Sequence, residues 1–109
     1  MIKEMNLKFV KDLNTNSEVL KKIFYSKSTS NEMKTYIALH PNTPINILKK
    51  LALDEDDFLR HNVVQNINLP LDSLKILMND KIVDIRLLAE RHPTTKEFLQ
   101  NEIENNFNR

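Results

Sequence analysis

The chain has 109 residues, with 16 Lys and Arg against 15 Asp and Glu, and it contains neither glycine nor cysteine. Charges so nearly balanced give no overall field that would draw the protein to nucleic acid or to an anionic membrane. The lack of cysteine excludes disulfides, thiolate metal sites, iron–sulfur clusters and cysteine nucleophiles, and the lack of glycine disfavours the phosphate-binding loops of nucleotide enzymes.

A chain of this length can bury roughly 60–70% of its unfolded surface, which suffices for one continuous core. We therefore predict a single domain over residues 1–109. The first residues are charged, and the apolar runs are only a few residues long. Secretion signals and membrane-spanning helices need longer apolar stretches, so we expect a cytoplasmic protein that makes no contact with a membrane.

The sequence pattern repeats itself along the chain. Residues 14–23 (NTNSEVLKKI) return 28 residues later as residues 42–51 (NTPINILKKL), and the same frame recurs after a further 26 residues. A unit this short cannot bury its own apolar face and must stack on its neighbours. The prediction is an N-terminal capping helix (1–13), three repeats (14–40, 41–66 and 67–92), and a C-terminal capping helix with a tail (93–109).

Each repeat is predicted to hold two helices, because apolar residues fall at helical spacing in each half of it. The first helices carry Val19, Leu20, Ile23 and Phe24, then Ile47, Leu48, Leu51 and Ala52, then Leu74, Leu77 and Met78. The second helices carry Met33, Tyr36 and Ile37, then Leu59 and Val63, then Ile85, Leu88 and Ala89.

The terminal helices are predicted to cover the open ends of the stack. The leading helix is indicated by Leu7, Val10 and Leu13, and the closing helix by Phe98, Leu99, Ile103 and Phe107. We expect the tail at residues 105–109 to fray.

The predicted helix starts carry capping chemistry. In a capping box, a Thr and a Glu three residues later satisfy two backbone N–H groups, and proline is favoured at the first helical position. The predicted boxes are Thr15 with Glu18 and Thr29 with Glu32, and the prolines are Pro44 and Pro70.

Together these positions resemble the variant leucine-rich repeat, a relative of HEAT repeats, over about residues 14–100. The resemblance is carried by Thr43-Pro44, Leu48, Leu51, Asp54, Leu59-Arg60, Val63-Val64 and Asn66, followed by Pro70, Leu74, Leu77, Asp80, Ile85-Arg86, Ala89 and His92-Pro93. It implies an all-α fold, a short right-handed α-solenoid, that is used for binding. Some members of that family carry a cysteine-rich iron–sulfur segment, but this chain has no cysteine, so we expect no cofactor.

An acidic and a basic residue recur six positions apart. Asp54 precedes Arg60 as Asp80 precedes Arg86, and Lys34 holds the arginine position in the first repeat. One interpretation is a reactive acid–base ladder. The resemblance to HEAT-like repeats favours a hydrogen-bonded ladder between repeats, for which a bidentate arginine–carboxylate contact is well suited. Asp54 and Asp80 are also candidates to cap the helices that follow them.

The three histidines do not indicate a metal site. His40 and His92 are equivalent positions two repeats apart, which predicts a separation of about 20 Å at usual helix-packing distances. His61 lacks a His or carboxylate partner four residues on. The chain also lacks the G-x-S-x-G motif of serine hydrolases, and we expect no enzymatic activity.

Two polar residues interrupt packed positions. Asn62 falls where the other repeats have Tyr36 and Leu88, and Glu90 likewise falls at an apolar position. A polar group at a packed position needs a partner. Either these residues open onto a binding groove, or Asn62 bonds a neighbouring carbonyl and Glu90 belongs to the polar outer face of a terminal repeat; we favour the second interpretation.

An exposed ridge is predicted on the second helices, opposite their core rows. In α-solenoids such helices usually line the concave surface that binds partners. The ridge mixes apolar and polar groups, which suits a protein partner, although an ordinary solvated face is an equal alternative. Its residues are Thr35, Leu39, Asp57, His61, Gln65, Val83, Leu87 and Arg91.

The leading functional hypothesis is a non-enzymatic module that binds another protein through the ridge. A narrower version is a small neutralising protein of the immunity or antitoxin kind. The alternative is a HEAT-like protein that binds nucleic acid, with phosphates contacted by lysines that recur on the first helices: Lys21, Lys22, Lys49, Lys50 and Lys75. We expect a monomer or a weak homo-oligomer associating through Leu39, Val83 and Leu87, and both a complete chain and a fragment of a longer array remain open.

Overall fold

The structure is a computed structural model that describes residues 2–107, and this range contains eight α-helices and no strand. The predicted all-α fold is confirmed. The helices are α1 (Ile2–Lys11), α2 (Ser17–Phe24), α3 (Asn31–Leu39), α4 (Ile45–Ala52), α5 (Asp57–Val63), α6 (Leu71–Leu77), α7 (Val83–Arg91) and α8 (Pro93–Phe107).

The helices pack in two rows. In one row α1 contacts α3, α3 contacts α5, and α5 contacts α7; in the other α4 contacts α6, and α6 contacts α8. Sequence neighbours join the rows, since α2 packs on α3, α4 on α5, and α6 on α7. The molecule is elongated, with principal extents of 60 × 28 × 16 Å. The predicted segments 41–66 and 67–92 therefore each contribute one helix to each row, whereas α2 packs on α1 and α3.

One core runs between the rows, and its side chains recur at the sequence period. Among the first helices, Leu20, Leu48 and Leu74 are fully buried, and among the second helices the same holds for residues 26 apart. Those residues are Ile37, Val63 and Ala89, accompanied by Met33, Leu59 and Ile85. Most of the apolar positions predicted for the repeats thus form the core, and five of them pack against it partly buried: Val19, Phe24, Tyr36, Met78 and Leu88.

The terminal helices differ from the prediction that they cover the ends. Val10 is buried and Leu7 is partly buried, but α1 ends at Lys11 and Leu13 is 67% exposed. At the other end, α8 buries only its first turns, and the apolar residues after Phe98 face solvent. Of the tail predicted to fray, residues 105–107 belong to α8, and residues 108–109 lie outside the described range.

The predicted helix starts lie one residue before the observed ones. Asn16 caps α2 by accepting from the Val19 N–H at 3.0 Å, and Ser30 caps α3 by accepting from the Met33 N–H at 3.2 Å. The helices α4 and α6 begin after Pro44 and Pro70, not with them.

The threonines that we predicted as caps reach backwards along the chain. The Thr15 hydroxyl donates to the Phe9 carbonyl at 2.7 Å, and the Thr29 hydroxyl donates to the Ile23 carbonyl. Both carbonyls lie six residues earlier, in or near the preceding helix. The threonine therefore ties each helix start to the helix before it, and the next residue is left to cap.

Asp54 and Asp80 do not cap α5 and α7, as predicted, but bond the backbone of the residues that occupy the N-cap positions. Asp54 accepts from the Asp56 N–H and Asp80 accepts from the Ile82 N–H, each at 2.9 Å. Asp56 and Ile82 are the N-cap residues of α5 and α7, and Asp56 caps α5 through the Phe58 N–H at 2.9 Å. Asp54 and Asp80 thus shape the turns that lead into these helices.

Candidate binding surface

The predicted ridge lies on the helices α3, α5 and α7, which pack side by side. Two of its residues, Thr35 and His61, are partly buried, and the other six are exposed. Thr35 and Leu39 lie on α3, Asp57 and His61 on α5 with Gln65 just after it, and Val83, Leu87 and Arg91 on α7, so the predicted set spans three adjacent elements.

The apolar side chains of this surface are well exposed. Val83 is 53% exposed, Leu39 45% and Leu87 38%. Phe58, at the start of α5, is 60% exposed and was not among the predicted residues. The equivalent residues one repeat before and one repeat after Phe58 are acidic. An aromatic residue at a position that is otherwise acidic is the sequence signal that could have revealed it. Each of the three helices therefore presents at least one large apolar group to solvent.

Two grooves flank Phe58. One, of about 340 Å³, lies between α3 and α5, and Thr35 and Tyr36 line its wall. The other, of about 290 Å³, lies between α5 and α7 and includes Asp57 and His61. Phe58 is the wall that the two grooves share, so it stands at the centre of this surface.

A third groove, of about 360 Å³, lies where α5 and α7 end and brings Gln65 and Arg91 together. The apolar ridge residues Leu39, Val83 and Leu87 line none of these three grooves. In the structure, therefore, the polar ridge residues line the grooves, whereas the aliphatic ridge residues lie exposed outside them.

The charges on the surface are segregated along the helices. Glu32, Asp57 and Asp84 lie in the first turns of α3, α5 and α7, where negative charge is favoured by the helix dipole. None of the three forms an ion pair within residues 2–107. Arg91 lies in the last turn of α7. The start of the surface is therefore acidic and available to a partner.

The two polar interruptions have structural explanations. Asn62 is buried and donates its side-chain N–H to the Phe58 carbonyl at 2.7 Å, within the same helix. Glu90 is exposed on α7. The favoured interpretation of Asn62, a bond to a neighbouring carbonyl, is confirmed, and neither residue lines one of the grooves.

The predicted arginine–aspartate ladder is present as one buried pair. Arg60 Nε lies 2.8 Å from Asp80 Oδ2, and Arg60 Nη2 lies 3.2 Å from Asp80 Oδ1, so the contact is bidentate. Arg60 Nη1 also donates to the Asp54 and Glu55 carbonyls. The pair joins the second and third repeat segments. In the first segment Lys34 instead lies over the Phe24 ring, 5.9 Å from its centroid.

This pairing shifts both pKa values. The hydrogen bond to Asp80 raises the pKa of Arg60, although burial opposes the shift. Burial acts to raise the pKa of Asp80, but the hydrogen bonds from Arg60 and from the Ile82 N–H outweigh it and lower the pKa below its usual value. Both groups are thus held in their charged forms, as a structural ion pair requires.

A wider cavity, of about 730 Å³, lies between the turns that precede α5 and α7, and it is lined by Arg60 and Asp80. Its two buried charges are bound to each other. The side chains that remain available to a ligand are the exposed ones on the turns, Glu55, Asn79 and Lys81. This cavity does not hold an unpaired buried group of the kind used in general acid–base catalysis.

Two of the histidines belong to a second ladder, on the other side of the molecule. His92 Nε2 lies 2.8 Å from the Asn66 carbonyl, and His40 Nε2 lies 2.7 Å from the Asp12 carbonyl. Asn66 holds the intermediate position and donates to the Ala38 carbonyl at 2.8 Å. In each case the side chain reaches the corresponding segment of the preceding repeat, so these buried groups are structural.

The lysines of the first helices make contacts between neighbouring helices. Lys50 donates to the Tyr25 hydroxyl at 2.7 Å, and Lys49 Nζ lies 2.8 Å from Asp72 Oδ2. Lys75 Nζ lies 4.4 Å from the centroid of the Phe98 ring. Three of the five lysines proposed to track phosphates are therefore engaged within the protein.

Comparison with protein-family models, with curated proteins and with solved structures gave no match. Within residues 2–107, no helix combines the length and apolar character needed to span a membrane.

Proposed function

We propose that this chain is a short right-handed α-solenoid that acts as a non-enzymatic protein-binding module. The solenoid is supported by the two rows of helices, in which neighbours of each row pack together. It is also supported by hydrogen bonds that recur between equivalent positions, such as those of His40, Asn66 and His92. Stacked units of this kind leave an extended surface for partners.

The observation that carries the proposal is the surface formed by α3, α5 and α7, centred on Phe58. It offers exposed apolar groups on each helix, with grooves on both sides of the aromatic ring. Protein interfaces combine an apolar centre, often aromatic, with a polar rim. Here the rim is supplied by Asp57, His61, Gln65 and Arg91.

The distribution of buried polar groups supports this assignment of faces. Arg60, Asp80, His40 and His92 are bound to one another or to backbone carbonyls. A side chain that already satisfies a neighbour has little capacity left for a ligand. The binding role therefore falls to the exposed ridge, and partner binding through nucleic-acid phosphates is disfavoured because Lys49, Lys50 and Lys75 have internal contacts.

The test is affinity capture from a nuclease-treated lysate of the native host. The ridge variant carries His61→Glu and Leu87→Glu, and a matched control carries Lys21→Glu and Lys22→Glu on the exposed face of α2. We expect the wild type and the control to retain the same protein at equal levels. The ridge variant should retain less than about a tenth of it, because one new charge replaces an exposed apolar group, Leu87, and the other changes the rim at His61.

Two outcomes would contradict the proposal. Capture that is lost in the α2 control but kept in the ridge variant would move the interface to the lysine row. Recovery of nucleic acid without nuclease treatment, with steep loss on raising the salt concentration, would favour the phosphate-binding alternative.

A narrower form of the proposal is that the partner is a toxic protein that this chain neutralises. The small size of the chain suits a stoichiometric inhibitor. Co-expression of a captured partner tests it: growth should be rescued by the wild type and not by the ridge variant.

A further inference from the structure

The end of α8 projects from the molecule. All nine residues from 99 to 107 are exposed, and the helix is anchored only through its first turns, where Thr95 is buried and Phe98 is half-buried. An isolated helix of about 15 residues is marginally stable in water. Exposed apolar residues nevertheless follow one another every four positions along one face: Leu99, Ile103 and Phe107.

The helix at the opposite end has a matching stripe. Ile2 is 71% exposed, Met5 56% and Phe9 44%, and their spacing of three and four residues puts them on one face of α1. This face is distinct from the one that packs on α2 and α3, where Val10 is buried. Each end of the molecule therefore presents an apolar helix face.

The charges at the two ends are opposite in sign. The helix α1 carries three lysines and one glutamate, whereas α8 carries one lysine and three glutamates. On helical geometry Lys8 lies beside the α1 stripe, and Glu102 and Glu104 lie on the two sides of the α8 stripe. None of these three residues forms an ion pair within residues 2–107.

We propose that copies of this chain associate head to tail, with α8 of one copy packed against α1 of the next. This arrangement covers both apolar stripes and brings glutamates beside lysines. Pairing α8 with α8, or α1 with α1, would bring like charges together, which is unfavourable. A head-to-tail contact leaves one α1 and one α8 free at the ends of each complex, so growth continues until a ring closes.

The contact is small, three apolar residues from each side, and interfaces below about 1,200 Å² are characteristic of weak or transient complexes. Association should therefore depend on concentration. Sedimentation velocity over a concentration series is the measurement, and it should show a weight-average mass that rises above that of the monomer and falls again when salt is added.

A charge exchange tests the pairing directly. The first variant carries Glu102→Lys and Glu104→Lys, and the second carries Lys8→Glu; all three positions are exposed, so circular dichroism should match that of the wild type. Each variant alone should associate at least about tenfold more weakly than the wild type. Mixing the two should restore association, because every α8 then meets an α1 of opposite charge.

A matched control separates this contact from the ridge. Leu87→Glu should leave self-association unchanged while it weakens capture of a partner. The proposal is overturned if the wild type stays monomeric throughout the series, if mixing the variants restores nothing, or if Leu87→Glu rather than the charge changes abolishes association, since the contact would then lie on the ridge.

Discussion

Arg60 is buried, and its burial is tolerated because its guanidinium is surrounded by acceptors. Four hydrogen bonds lead from it to the Asp80 carboxylate and to the Asp54 and Glu55 carbonyls. Removing one member of a buried ion pair leaves the other charge without compensation, which costs about 3–5 kcal/mol. The pair is therefore a point at which a single substitution should be severe.

We predict that Arg60→Ala lowers the free energy of unfolding by about 3 kcal/mol or more. Urea denaturation monitored by circular dichroism measures it. The matched control is Lys49→Ala, which breaks the exposed ion pair with Asp72 and should have a much smaller effect. Equal effects of the two substitutions would show that burial of the Arg60 pair does not matter.

The same pair predicts a dependence on pH. The pKa of Asp80 is lower in the folded protein than the ordinary value of about 3.9 that it has when unfolded. Its ionised form is thus favoured by folding, so its contribution is complete above about pH 4 and is lost as the pH falls through the folded pKa. We expect the stability difference between the wild type and Asp80→Asn to be constant near neutral pH and to shrink in acid. A difference that does not change with pH would contradict this pairing.

Two threonines at equivalent positions should respond in opposite ways to loss of the hydroxyl. Thr43 donates to the Ile37 carbonyl at 2.6 Å, whereas the buried Thr95 hydroxyl has no hydrogen-bond partner among residues 2–107. Thr43→Val should cost about 1 kcal/mol, and Thr95→Val should be neutral or stabilising, because a buried unpaired hydroxyl is itself unfavourable. Thermal unfolding of the two variants checks this; a larger loss for Thr95→Val would indicate a partner that the structure does not contain.

At the scale of the element, the helices were predictable and their first residues were not. Apolar spacing located both helices of each repeat because packing against the core row determines that spacing. The caps failed because Thr15 and Asn16 are both good cap residues, and only the tertiary bond from Thr15 to the Phe9 carbonyl decides between them. Local capping rules do not contain that longer contact.

The turns between helix pairs depend on side chains that can bridge two repeats. His92 Nε2 bonds the Asn66 carbonyl, while Nδ1 accepts from the Thr94 N–H at 3.1 Å. Asn66 performs the corresponding task in the middle segment, with an amide in place of an imidazole. This position requires a hydrogen-bond donor and an acceptor on one short side chain, and both histidine and asparagine provide them.

We therefore predict that His92→Asn retains more stability than His92→Leu. The leucine leaves a backbone carbonyl and a backbone N–H without their partners, at a cost of about 1–3 kcal/mol. Urea denaturation of both variants is the measurement. If the leucine variant were as stable as the asparagine variant, packing rather than hydrogen bonding would explain why this position is buried.

At the scale of the whole molecule, the sequence predicted where residues are buried better than what the exposed faces do. Periodicity reflects the core, so the ridge residues could be located as the positions opposite it. Phe58 was missed because the ridge was taken as the positions directly opposite the core row, which do not include it, although its acidic equivalents mark it as exceptional. The projecting end of α8 was missed because an apolar stripe at helical spacing is the same in sequence whether a neighbour covers it or not.

The central claim is that structure and binding reside on different residues of the same short helices, and α5 allows the sharpest test because Arg60 and His61 are adjacent. The measurement is unfolding free energy together with partner capture, for Arg60→Ala and for the ridge variant His61→Glu with Leu87→Glu. We predict that the first variant loses stability and, where still folded, keeps partner binding, and that the second keeps wild-type stability and loses binding. The reverse result would contradict the assignment of faces.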